Sequence, residues 1–206
     1  MRLLPCGDRA LLAEFETQAE VLGALDAWSP APPGVLDLVP AARTVLVRID
    51  PSVIGLGHLE HWLSTTPRAS AAPPAGRTVT IPVRYDGDDL AVIADVWGCS
   101  IEAVVDRHLA LDWVCAFIGF APGFPYLVPA DTASAPPPVA RRATSRTTVP
   151  AGAVALAAEY CGIYPRPSPG GWQLIGRTDA ELWNAARVDP ALVTPGARVR
   201  FTRVPS

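Results

Sequence analysis

Two loops punctuated by glycine and proline carry aromatic residues of the kind that line binding sites. "GFAPGFPYL" (119–127) holds Phe120, Pro122, Gly123, Phe124 and Tyr126, and "GIYPRPSPGGWQLIGRT" (162–178) holds Tyr164, Gly170, Gly171 and Trp172. Proline fixes φ and glycine admits close backbone approach, so such loops keep a definite shape and can wall a pocket. The competing reading is that these rings plug the ends of a barrel, since most aromatic side chains belong to cores. A third loop, "ARRATSRTTVPAG", supplies Arg141, Arg142 and Arg146. Their planar forks suit carboxylate or phosphate, and Ser145 and Thr147 add hydroxyl donors. A solvated basic loop is the alternative here. Arg177 ends the strand pattern "WQLIGR" beside the glycine-rich turn and is better placed.

Other candidates are weaker. His108 lies late in a helical pattern just before "GFAPGF", where it could serve as acid, base or ligand, or as a satisfied structural histidine. "HLEH" (58–61) imitates a metal-binding spacing but has no third ligand in the pattern, and no metal is expected. Ser168 lacks the G-x-S-x-G elbow of a serine hydrolase. Asp179 and Glu181 read as the start of a helix rather than a catalytic pair. All 17 basic residues are arginines. That excludes a P-loop lysine, a Schiff-base lysine and a lysine for attaching biotin. The formal charge of −3 argues against a nucleic-acid surface. Cys6, Cys99, Cys115 and Cys161 form no C-x-x-C pair, no basic-then-apolar leader opens the chain, and no apolar run is long enough to span a membrane. A cytoplasmic protein with reduced thiols is expected.

The elements that must position these residues fall into two blocks. "RALLAEF", "GVLDLVPA" and "RTVLVRID" read as strands, with a helix between the first two that turns Val21, Leu22, Leu25 and Trp28 inward. A second helix follows "DPS", with Ser52 as its cap candidate and Ile54, Leu56, Leu59 and Trp62 or Leu63 inward. This is an α+β two-layer unit, residues 1–66. The Pro/Ala-rich residues 67–77 read as a linker. Residues 78–206 begin with the strand "RTVTIPVRY", then two helices, "DDLAVIADVWG" (acid-rich at its start) and "SIEAVVDRHLA" (capped by Ser100). Many short strands with Pro/Gly turns follow, the pattern of a closed or nearly closed β-barrel.

"GFAPGFPYL", "RRATSRTTVPAGAV" and "GIYPRPSPGGWQLIGRT", with "GDRALLAEF" and "VPAARTVLVRIDP" before them, resemble one family over nearly the whole chain. It is the family of the 5-oxoprolinase B subunit, also called allophanate hydrolase subunit 1. That family includes the inhibitor of a sporulation sensor histidine kinase and is similar to part of the carboxyltransferase region of urea carboxylase. The sequence departs from the family pattern at Ala42, Ser145 and Glu159 to Cys161. The resemblance implies a small α/β domain followed by a cyclophilin-like barrel. It implies as partners the 5-oxoprolinase C subunit, which is like allophanate hydrolase subunit 2, and the 5-oxoprolinase A subunit. It further implies a hydrolase complex that converts 5-oxo-L-proline, ATP and water into L-glutamate, ADP and phosphate, this chain being inactive alone. ATP would be bound by the complex. On that reading His108 is a proton carrier, and Arg141, Arg146 and Arg177 neutralise substrate carboxylate or developing phosphate charge. Phe120, Pro122, Gly123, Phe124 and Tyr126 form one pocket wall, and Tyr164, Gly170, Gly171 and Trp172 form another. The alternatives are an inhibitory module docking on a histidine kinase, and a carboxyltransferase half served by a biotinylated partner.

Overall fold

The computed structural model describes residues 1–67 and 77–205. Two compact units divide the chain, Met1–Ala75 and Gly76–Ser206. Most of the expected linker, residues 68–76, lies outside the described residues.

The first unit contains β1 (Arg2–Pro5), β2 (Ala10–Glu14), α1 (Gln18–Ala27), β3 (Val35–Pro40), β4 (Thr44–Ile49) and α2 (Leu56–Thr65). An antiparallel sheet in the order β1-β2-β4-β3 packs against both helices. The alternation of β2 and β4 sends Leu11, Ala13, Val45, Val47 and Ile49 to one face, where they meet Val21, Trp28, Leu59 and Leu63. Thr17 and Glu20 form a reciprocal capping box at the start of α1. Ser52 does not cap α2: its amide and hydroxyl both bond Asp50, and the helix begins after Gly55. β1 has no signature in the sequence, because "RLLP" is too short to show alternation.

The second unit begins with β5 (Thr78–Val83), α3 (Leu90–Trp97), α4 (Ile101–Ala110), β6 (Trp113–Ile118) and β7 (Pro125–Pro129). It continues with β8 (Arg146–Val149), β9 (Ala153–Ala157), β10 (Tyr160–Ile163), β11 (Ser168–Gly170), β12 (Gln173–Arg177) and β13 (Arg198–Arg203). Seven strands form one sheet in the order β12-β9-β10-β7-β6-β13-β5, antiparallel except for β13 against β5. A bridge between Arg84 and Arg177, with two backbone hydrogen bonds of 2.9 Å, brings its ends together. The mixed α/β architecture with a nearly closed barrel is therefore the one expected. Ser100 caps α4 through the Ala103 amide, as read from the sequence.

β9 decides where the aromatic loops go. All five residues of "AVALA" are buried, yet they serve two cores. Val154 and Leu156 join Ile81, Val83, Cys115, Leu127 and Ile175 inside the barrel. Ala153, Ala155 and Ala157 face the other way and floor a separate cluster of Phe124, Tyr164, Trp172 and Leu174. Small residues on one face leave room for large rings above them. The aromatic residues therefore do not plug the barrel ends; they sit on its outer wall.

Candidate functional site

Phe124 is the centre of the outer cluster and is 1% exposed. Its ring lies 5.0 Å from Tyr164, 5.1 Å from Tyr126, and 5.4 Å from both Phe120 and Trp172, most of these contacts edge-to-face. Gly162 on β10 makes this packing possible, because a Cβ there would lie 2.7 Å from Phe124 and 2.8 Å from Trp172. The 119–124 turn holds itself in shape: the Gly119 amide donates to Phe124 O, the Ala121 amide to Gly119 O, and the Phe124 amide to Ala121 O. Phe120 takes a φ of 64° in that turn, a left-handed conformation that a bulky residue rarely adopts, and its ring is 61% exposed at the rim.

These rings line a cleft of about 260 Å³ with Arg141, Ser145, Pro169, Gly170 and Gly171. The guanidinium of Arg141 stands 5.9 Å above the Trp172 ring. Among the described residues it has no carboxylate partner. Burial raises the hydroxyls of Tyr126 and Tyr164 above their ordinary range, against the pull of Arg141, which leaves both as neutral donors. The cleft thus combines flat apolar walls, phenolic donors and one uncommitted cation. It suits a small ring bearing a carboxylate or another anionic group.

The structure assembles some of the anticipated residues and separates others. Phe120, Phe124, Tyr126, Arg141, Tyr164, Gly170, Gly171 and Trp172 all line the cleft. Pro122 and Gly123 belong to the adjoining turn rather than the lining; Gly123, at φ of 79°, packs its Cα against Trp183 and Leu182. Arg146 does not face the cleft as a free cation. Its Nη2 donates to both carboxylate oxygens of Asp89, at 3.0 and 2.9 Å, while Arg142 Nη1 donates to Oδ1 at 2.7 Å. Asp89 reads in the sequence only as acid at a helix start; its role as a clamp has no local signal. Arg177 points elsewhere too, bonded to Asp86 at 2.8 Å with its side chain 58% exposed.

His108 must be corrected. It is 1% exposed inside the barrel, with Nδ1 2.8 Å from Tyr85 Oη and Nε2 3.3 Å from Cys161 Sγ. Its ring packs on Phe201 and Trp113. Burial lowers its pKa to about 3, so it stays neutral, and it is not among the residues that line the cleft. It is the satisfied structural histidine, not a proton carrier. Asp179 and Glu181 start no helix: Glu181 bonds Asn184 and Arg187 within an irregular segment. Among the described residues no three His, Cys, Asp or Glu side chains converge as a metal site, and no helix is long and apolar enough to cross a membrane.

Residues 1–193 match the family described as carboxyltransferase domain, subdomain C and D. Over 204 residues the chain is 36% identical to the 5-oxoprolinase B subunit of Escherichia coli O157:H7, covering 95% of this chain and 92% of that one. The crystal structure of TTHA0988 superimposes with a TM-score of 0.80 at 37% identity, over 97% of this chain but 40% of that longer one. Urea carboxylase of Kluyveromyces lactis shares the fold, with a TM-score of 0.78 at 21% identity over 98% of this chain and 22% of the other.

Proposed function

We propose, on the premise that the chain belongs to the carboxyltransferase-domain family of the 5-oxoprolinase B subunit, that it works within an ATP-dependent complex that opens 5-oxo-L-proline to L-glutamate. Partners of the 5-oxoprolinase C and A types complete the complex. The observation that carries this reading is Arg141, uncommitted and poised over Trp172 in a cleft of about 260 Å³ walled by aromatic rings. The substrate is a planar lactam with one carboxylate. Arg141 takes the carboxylate in a charge-assisted pair. The aromatic walls of the cleft, with Phe120 at the rim and Trp172 beneath Arg141, take the ring and exclude water around it.

A lactam carbonyl is a poor electrophile. Transfer of the ATP γ-phosphoryl group to its oxygen releases ADP and makes the carbon electrophilic. Water adds there, the C–N bond breaks as the nitrogen takes a proton, and a second water releases phosphate from the resulting acyl phosphate. At about 260 Å³ the cleft does not reach the usual range for ligand pockets, roughly 300–1,000 Å³. Nor does a chain without lysine or a phosphate-cradling glycine loop offer a self-sufficient triphosphate site. ATP is therefore assigned to the assembled complex, as co-substrate, and the chain alone is expected to be inactive.

The test is phosphate release from ATP on adding 5-oxo-L-proline, to the chain alone and to the complex co-purified with its C-type and A-type partners. Release is expected only from the full complex. Arg141→Ala should raise KM about tenfold to a hundredfold, the worth of a hydrogen bond to a charged group. Silence from a stable complex overturns the reading and turns attention to a histidine kinase or a biotinylated carrier as the partner.

A further inference from the structure

Asp89 precedes α3 at the position where a carboxylate ordinarily caps a helix, yet its side chain makes no cap hydrogen bond. It turns across the barrel wall instead and is 3% exposed. There it accepts from Arg142 and twice from Arg146, and the Leu174 amide adds a fourth bond to Oδ2 at 2.7 Å. A carboxylate offers about four lone-pair sites, so Asp89 is saturated. Its backbone is also pinned, with the Asp89 amide donating to Leu174 O at 3.1 Å and the Gly87 amide to Ile175 O at 3.3 Å. A Cβ at Gly87 would collide with the β12 backbone. The carboxylate is thus fixed to β12 independently of the arginines it receives.

Those arginines flank the turn that carries Ser145, and Arg141 stands immediately before the first of them. The Arg142 amide donates to Gly171 O at 2.7 Å, and Arg146 pairs in register with Gly170. One carboxylate therefore ties the loop bearing the cation to β12, the strand that Trp172 immediately precedes. We infer that Asp89 is a positioning residue of the cleft. It commits Arg142 and Arg146, leaves Arg141 as the cation for an anionic ligand, and holds the loop so that Arg141 stays over Trp172. A loop left free would lose that alignment to conformational entropy. This role rests on the cleft being the substrate site.

The test compares Asp89→Asn with Arg142→Met in the assembled complex. Asp89→Asn puts an amide donor against guanidinium donors; Arg142→Met removes one arm, keeps the volume and leaves the Asp89–Arg146 pair in place should the first variant fold poorly. Amide hydrogen exchange over residues 140–147 should speed at least tenfold, while exchange in the first unit stays as in the wild type. KM for 5-oxo-L-proline should rise about tenfold with kcat within twofold. Combined with Arg141→Ala, either variant should add nothing further, because both act through the same cation. Unchanged loop exchange, or KM effects that multiply with Arg141→Ala, would overturn the proposal. A wild-type complex silent toward 5-oxo-L-proline would sink the substrate assignment, and the exchange comparison would still decide whether Asp89 holds the loop.

Discussion

The barrel wall treats its two faces in opposite ways, and neighbouring residues of β10 show how. Cys161 points inward and meets His108, which in turn meets Tyr85. Gly162, one residue on, faces outward beneath Phe124 and Trp172, in the cluster that Arg141 overhangs. Each region brings a basic nitrogen group together with aromatic rings. Inside, burial lowers His108 to about 3 and raises the Cys161 thiol well above its ordinary range, so neither is charged near neutral pH and neither is reachable. Outside, the Arg141 guanidinium keeps its access to solvent. Residue type does not separate a structural polar trio from a binding cleft; access does.

The largest effect should come from showing that the outer cluster is a core in its own right. Phe124→Ala removes a ring with four aromatic neighbours and should destabilise the second unit by about 3–5 kcal/mol, read from urea unfolding. A loss below about 1 kcal/mol would reduce the cluster to surface decoration.

The inner trio makes a pH prediction. His108 titrates near 6.5 when unfolded and near 3 when folded, so below about 6.5 the unfolded chain takes up a proton that the folded one refuses. Stability should therefore fall with decreasing pH through that window, by up to ~1.4 kcal/mol per pH unit. His108→Gln should be less stable at pH 7 but show a flatter acid limb. An equally steep limb in that variant would assign the slope to carboxylates instead.

Phe120→Gly sharpens the contrast between stability and function at the rim. Relief of the positive φ, worth roughly 1–2 kcal/mol, offsets lost ring contacts of roughly 0.5–1.5 kcal/mol, so the unfolding midpoint should barely move. Turnover by the complex should nonetheless drop, because a cleft wall has gone. Full activity in the glycine variant would remove Phe120 from the site. The smallest effect belongs to Arg177→Ala. Its exposed pair with Asp86 contributes little, and turnover should stay within twofold. A tenfold loss would return Arg177 to the reaction.

Much of this is legible in the chain. Alternation in β2, β4 and β5, helical spacing in α1 and α4, and the Ser100 cap are local patterns, and each element forms where its pattern stands. The three loop motifs, too, hold the residues that line the cleft, although not the contacts among them. What stays hidden depends on partners distant in sequence. Asp89 lies 53 residues from Arg142 and 85 from Leu174, and nothing within one turn of it hints at either. His108, Arg146 and Arg177 suggest chemistry by residue type and by their place beside the loop motifs. The structure buries the first in the barrel interior, holds the second against Asp89, and pairs the exposed third with Asp86.

The order of polar and apolar residues along this chain suffices for most of its strands beyond β1, its two-layer first unit, its barrel and its ordered aromatic loops, because periodicity and turn chemistry act over a few residues. Which face of β9 receives the rings, and which arginine remains free, are settled by the closing of the barrel. Side-chain direction in a strand alternates wherever the strand lies, but a face acquires meaning only when another element covers it or leaves it to solvent.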